Sequence, residues 1–200
     1  MFGEIAKWLL IIVGGLIGFT ILYLIGWQVA ASVAPNAVEK YNLRFVIKDI
    51  RKHFGFLFDK GYTISNTLYS YEHFGNWIVT LESQKCKIHL VQDRLELLVS
   101  FSPRKADTKV ELGLGTMIYF VTKGQKFIGF FKGNHSWGKK KQFERLANLL
   151  REYHDQIVPY FDNDNPWESD FGKYKDELMS TQRKYNDLLM KDYHQKHMKK

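Results

Sequence analysis

The sequence predicts an α+β chain: a single N-terminal transmembrane helix, a four-stranded antiparallel meander packed with helices, and a C-terminal amphipathic helix. Three observations carry that prediction. An uncharged apolar run extends from Trp8 to Trp27. Aromatic and β-branched residues recur with a period of two from Tyr62 to Phe101. On either side of that region the apolar residues keep helical spacing. The 200 residues divide accordingly into an anchor over 1–35, an α+β domain over 36–165, and a C-terminal helix with a basic tail over 166–200.

As a helix, the run Trp8–Trp27 would rise about 30 Å at ~1.5 Å per residue, the thickness of a bilayer's hydrocarbon core. The indoles of Trp8 and Trp27 would then sit at the two headgroup levels. A cleaved signal peptide fits less well, because Met1–Lys7 is nearly neutral and Pro35 follows the small-x-small site Ser32-Val33-Ala34. Lys40, Arg44, Lys48, Arg51 and Lys52 follow the run, while only Lys7, offset by Glu4, precedes it. The positive-inside bias therefore places residues 36–200 in the cytoplasm, beneath a cell (inner) membrane. A single cysteine, Cys86, agrees with a reducing compartment. Gly14-x-x-x-Gly18 offers a small-residue groove for self-pairing or for another membrane protein.

After the anchor, Asn36 and Glu39 are spaced as a near capping box. The helix that they open carries Leu43, Val46, Ile47, Ile50, Phe54, Leu57 and Phe58 on one face and stops at Gly61. Four strands follow, Tyr62–Glu72, Asn76–Glu82, Cys86–Gln92 and Leu95–Phe101. Their short connections permit only antiparallel neighbours. Asp93-Arg94 lacks the glycine of a tight hairpin, so that turn is expected to be wider than two residues. Leu112–Val121 reads as a short helix, with the first strand of a hairpin as the alternative. Lys139–Phe161 is a helix with Phe143, Leu146, Leu150, Tyr153 and Ile157 inward. Asn165-Pro166 starts the last helix, whose seam of Phe171, Tyr174, Leu178, Tyr185 and Leu188 is a candidate surface for a partner helix.

The net charge is +8, of which +6 lies in 36–165 and +2 in 166–200. Its densest stretch holds Lys123, Lys126, Lys132, Lys139, Lys140 and Lys141, interleaved with Phe127, Phe130, Phe131 and Trp137. Lysines mixed with Trp137 suit contact with lipid headgroups or another anion. The plainer reading makes the phenylalanines core and the lysines a solvated face. Nucleic acid is not expected as a partner: no helix-turn-helix, zinc-ligand or RNA-recognition signature is present. No metal or cofactor is expected, and no catalytic constellation stands out. Cys86 and His89, three apart on a strand, fall on opposite faces. His194 and His197 lie in a lysine-rich tail, and Gly113-Leu-Gly115 lacks the remainder of a phosphate loop.

The expected function is a single-pass, membrane-anchored interaction, scaffold or regulatory module docked on the inner membrane face. A membrane-attached enzyme built around Glu72, His73 and Asp93 is the first alternative. A nucleic-acid-binding domain tethered to the membrane is the second.

Overall fold

The computed structural model describes residues 13–26, 29, 35–70, 75–104, 111–128, 138–161 and 174–197. They belong to two compact units, Met1–Arg44 and Phe45–Lys200.

In the first unit, helix α1 covers 13–26, and its apolar side chains are exposed, Phe19 and Leu22 most of all. Among the described residues, no helix is long and apolar enough to cross a membrane. The described part of α1 has fourteen residues, 13–26, fewer than the roughly 20 that a spanning helix needs. This overturns the transmembrane anchor read from the apolar run. With it fall the signal-anchor role, the inner-membrane location, and the lipid and membrane-protein partners expected from it. The three membrane-bound functions, namely the docked module, the attached enzyme and the tethered nucleic-acid binder, lose their basis as well. Trp8 and Trp27 lie outside the described residues. Gly14 and Gly18 lie on α1, and a Cβ added at either would meet nothing within 4 Å.

Helix α2 runs Pro35–His53, beginning one residue before the Asn36 cap that the sequence suggests. Proline suits a first turn, where the amide hydrogen that it lacks would have no helical acceptor. Phe54 interrupts the helix, and the short α3, Gly55–Asp59, follows. Gly61 ends it with φ +86°, a conformation that favours glycine.

Five antiparallel strands then lie in chain order across one sheet. They are β1 Thr63–Ser70, β2 Asn76–Glu82, β3 Cys86–Asp93, β4 Glu96–Pro103 and the two-residue β5 Leu112–Gly113. The four-stranded meander agrees with the sequence reading; β5 is the addition. Its two residues pair with Ser100 and Phe101, and the chain passes at once into helix α4, Leu114–Val121. The segment read as helix or strand is thus briefly a strand and then a helix. The β3–β4 turn is narrower than expected, because Asp93 pairs with Glu96 and only Arg94-Leu95 lies between them. Arg94 takes φ +54° without being glycine. Asn76 compensates: its Oδ1 accepts the Arg94 amide and its Nδ2 donates to Asp93 at 2.9 Å. Gln92 adds a bond to the Arg94 carbonyl at 3.1 Å.

Alternation along the strands gives the sheet two faces. Trp77, Val79, Leu81, Cys86, Ile88, Leu90, Leu97, Val99 and Phe101 are buried on one of them. Helix α5, Lys139–Ile157, lies on that face, and a 3₁₀ turn, Val158–Phe161, completes it. Phe143 stacks on Trp77 with ring centres 6.2 Å apart and meets the edge of Phe54 at 6.0 Å. Phe161 stacks on Phe101 at 5.7 Å. Such ring pairs add about 0.5–1.5 kcal/mol each beyond the area that they bury. Helix α6, Lys175–His197, packs against α4.

Candidate functional site

Strand β4 is only half covered at its outer edge, since β5 pairs with it only at Ser100 and Phe101. Towards Leu97 the edge is finished by a side chain. Buried Gln142 of α5 accepts the Leu97 amide at 3.0 Å and donates to the Leu95 carbonyl at 2.9 Å. One amide side chain there does the work of a neighbouring peptide unit, which keeps the edge from standing open.

Beyond Gln142, no described residue fills the space between β4, α5 and α6. A groove of about 460 Å³ runs there, bounded by the start of α4 and by Ile128. Its aliphatic wall comes from Leu98 and Val99 of β4, Leu146 and Leu149 of α5, and Leu189 of α6. Three charged side chains line it as well: Arg145 of α5, with Glu96 and Glu111 near the two ends of the β4 wall. Arg145 is half-buried. That burial outweighs the neighbouring Tyr185 phenol and pulls the guanidinium down to about 10, so it remains a cation at neutral pH. Glu111 accepts the Ser100 hydroxyl at 3.0 Å.

Tyr185 shapes the groove. Its hydroxyl donates to the Ile128 carbonyl, and its ring meets Tyr119 at 6.0 Å and Phe127 at 5.4 Å. Burial pushes the phenol up to about 12, so it donates as a neutral hydroxyl. A Cβ on Gly115 would collide with the Tyr185 oxygen. Glycine at 115 is therefore what lets α6 come down on α4.

A second cleft, of about 470 Å³, opens at the C-terminal end of α5, and beneath it lies a polar relay. Lys60 Nζ donates to both Asp155 oxygens at 2.8 and 3.0 Å. Asp155 Oδ1 lies 2.6 Å from His154 Nδ1, His154 Nε2 lies 3.1 Å from the Tyr62 hydroxyl, and that hydroxyl lies 3.1 Å from Cys86 Sγ. The polarity follows from one end. An ionised carboxylate only accepts, so Nδ1 carries the proton. Nε2 of the neutral ring then accepts from Tyr62, whose oxygen accepts from the Cys86 thiol. Burial keeps His154 below its ordinary range against the pull of Asp155, and it raises Tyr62, with Cys86 adding to the rise. Lys60, then His154, hold Asp155 low. The relay contains a thiol, an imidazole and a carboxylate, yet Cys86 is fully buried and cannot meet a substrate. It ties α5 to the start of β1 and to β3.

His89 belongs to the other sheet face, as its spacing from Cys86 requires. Its ring nitrogens lie 3.1 Å from the Thr80 hydroxyl and 2.8 Å from that of Ser102. Among the described residues, no group of three or more His, Cys, Asp or Glu is placed to hold a metal ion.

The basic stretch is only partly described. Lys132, Trp137, Phe130 and Phe131 lie outside the described residues. Lys126 pairs with Glu152 at 2.9 Å, donates to the Tyr153 hydroxyl at 2.6 Å and sits over the Tyr153 ring. Lys140 faces Glu144 at 3.8 Å, while Lys123, Lys139 and Lys141 are exposed. On the last helix, Leu178 and Tyr185 are buried within the second unit, Leu188 is half-buried and Tyr174 is exposed. Phe171 lies outside the described residues, as do Glu72 and His73, and Asp93 serves the β3–β4 turn.

Arg145, Gln142 and His154 escaped the sequence reading. His154 had a signal: it follows Phe143 by eleven residues, three helical turns, and so falls on the buried stripe of α5. Arg145 sits between Phe143 and Leu146, a cation at the border of that stripe.

Comparison with protein-family models, with curated proteins and with solved structures finds no match to this chain.

Proposed function

We propose that the second unit is a ligand-binding domain whose groove between β4, α5 and α6 holds one elongated apolar molecule. The observation that carries this is the groove itself: about 460 Å³ of space with aliphatic walls. Small-molecule sites occupy roughly 300–1,000 Å³ and are mainly apolar, with a few polar groups that set orientation. From Glu96 to Ser100 the β4 wall is about 14 Å long at ~3.4 Å per residue, room for an extended chain of about ten carbons. Binding is favoured over catalysis because, among the described residues, the nucleophile set in a polar relay, Cys86, is sealed from solvent.

Titration calorimetry with decanol tests this. Leu98 lines the groove yet is 49% exposed, so Leu98→Trp fills the groove without overpacking the core. The expected result is saturable binding by the wild-type chain and a loss of about tenfold or more, ~1.4 kcal/mol, in the variant. Absence of binding, or equal binding by L98W with an unchanged melting temperature, would overturn the proposal.

A further inference from the structure

We infer that β1 is an interface strand: two copies of the chain pair their β1 edges antiparallel about a twofold axis at Leu68, forming one continuous sheet. β1, Thr63–Ser70, ends the order β1-β2-β3-β4-β5, and no described strand pairs with its outer side. A long edge tends to join other strands unless charge, proline, shortness or a cover prevents it. The β4 edge has its cover in β5 and Gln142. β1 has eight residues, none charged and none proline. The other long strands all carry charge: Glu82 on β2, Lys87 and Asp93 on β3, and Glu96 on β4. The one irregularity of β1 falls between Ile64 and Asn66, which leaves 66–70 in step with β2.

The side chains select the occupant. On the sheet face away from α5, Leu68 stands opposite Ile78, Ile78 opposite Val91, and Val91 opposite Leu98. This apolar row crosses four strands and ends at the β1 edge in Leu68, which is 57% exposed. Any strand could supply backbone hydrogen bonds to that edge, so specificity falls to what lies opposite Leu68 and its neighbours. β1 displays no charge, so it offers nothing to a strongly acidic or basic peptide. A second β1 fits it. Antiparallel pairing about Leu68 sets Leu68 beside its own copy and joins the two rows into one of eight side chains. Asn66 then falls opposite Ser70, and Thr67 opposite Tyr69, so no like charges meet between two chains that each carry +8. The alternation of faces is kept, and both copies turn α5 to the same side of a ten-stranded sheet. Such a contact uses the same patch on both copies, so assembly closes at two.

Two experiments on the full chain test this. In the first, sedimentation velocity follows the wild-type chain, Leu68→Lys, Leu68→Glu and an equal mixture of the two variants. The expected result is a monomer–dimer equilibrium for the wild type, weakened about tenfold or more in each variant alone and restored in the mixture, where opposite charges face each other. A wild-type chain that stays monomeric, or variants that associate as the wild type does, would overturn the inference. The second experiment covers the case in which a charge at 68 prevents folding. Directly opposite residues of an antiparallel pair have Cβ atoms about 4.5–5.5 Å apart, within reach of a disulfide across the axis, whereas the two copies of Leu98 would lie seven strand spacings, roughly 34 Å, apart. Cys86 is fully buried, so an introduced thiol is the one that reacts. Leu68→Cys should form a disulfide-linked dimer under mild oxidation while Leu98→Cys does not. Equal cross-linking of both, or none in L68C, would overturn the β1 pairing.

Discussion

At the scale of single residues, the second unit spends its buried polar groups in closed sets. His154 is the clearest case, because each of its ring nitrogens has a defined partner and burial disfavours its cation. Its folded-state affinity for a proton is thus below that of the unfolded chain, whose ordinary value is 6.5. A group of this kind contributes stability that is complete above pH 6.5 and is lost as the pH falls through the lower folded value. His89 has the same sign: burial dominates, Lys87 reinforces it and Glu111 opposes it. Asp155 adds in the same sense at lower pH. Imidazole NMR should therefore find both histidines titrating below 6.5, with unfolding free energy flat above that value and declining beneath it. Titration of His154 above 6.5 would contradict the described relay. None of these partners could be named from sequence. Tyr62, Cys86 and His154 are 24 and 68 positions apart, and only the pairing of β1, β2 and β3 under α5 brings them together.

At the scale of elements, the sheet was legible because a period of two with β-branched and aromatic residues has few other solutions. The β3–β4 turn shows where local rules stop. Its non-glycine residue at φ +54° is held by Asn76 and Gln92 from elsewhere in the sheet, a compensation that no local pattern announces. The same holds for α6. Leu178 and Tyr185 of its apolar series are buried, but the seat of the Tyr185 ring depends on Gly115, seventy residues away. Gly115→Ala isolates that dependence. The added methyl collides with the Tyr185 oxygen, and relief requires the ring to leave both Gly115 and the Ile128 carbonyl. A stability loss of about 1–3 kcal/mol is expected in urea denaturation, the usual cost of overpacking. Hydrogen exchange should accelerate over Lys175–His197 while the sheet amides stay protected. Uniform acceleration across the sheet would place the damage elsewhere.

At the scale of the whole molecule, hydropathy pointed to a spanning helix over Trp8–Trp27, and no helix among the described residues is long and apolar enough to be one. The described helix there covers only 13–26, and the functions built on an anchor go with it. The α+β meander stands, and the candidate site arises where its order leaves an edge: β5 is too short to finish β4, Gln142 finishes part of it, and the remainder faces α5 and α6 across space that no described residue fills. A groove of this kind belongs to the third dimension, since its walls come from three elements spread over residues 96–189.

The most direct test is an amide and methyl NMR titration of the full chain with decanol. The groove account predicts saturable shifts at Leu98, Val99, Leu146, Leu149, Arg145 and Leu189, with Lys60, Ser83 and His154 in the second cleft unmoved. Shifts centred on the second cleft, or none at the groove, would contradict it.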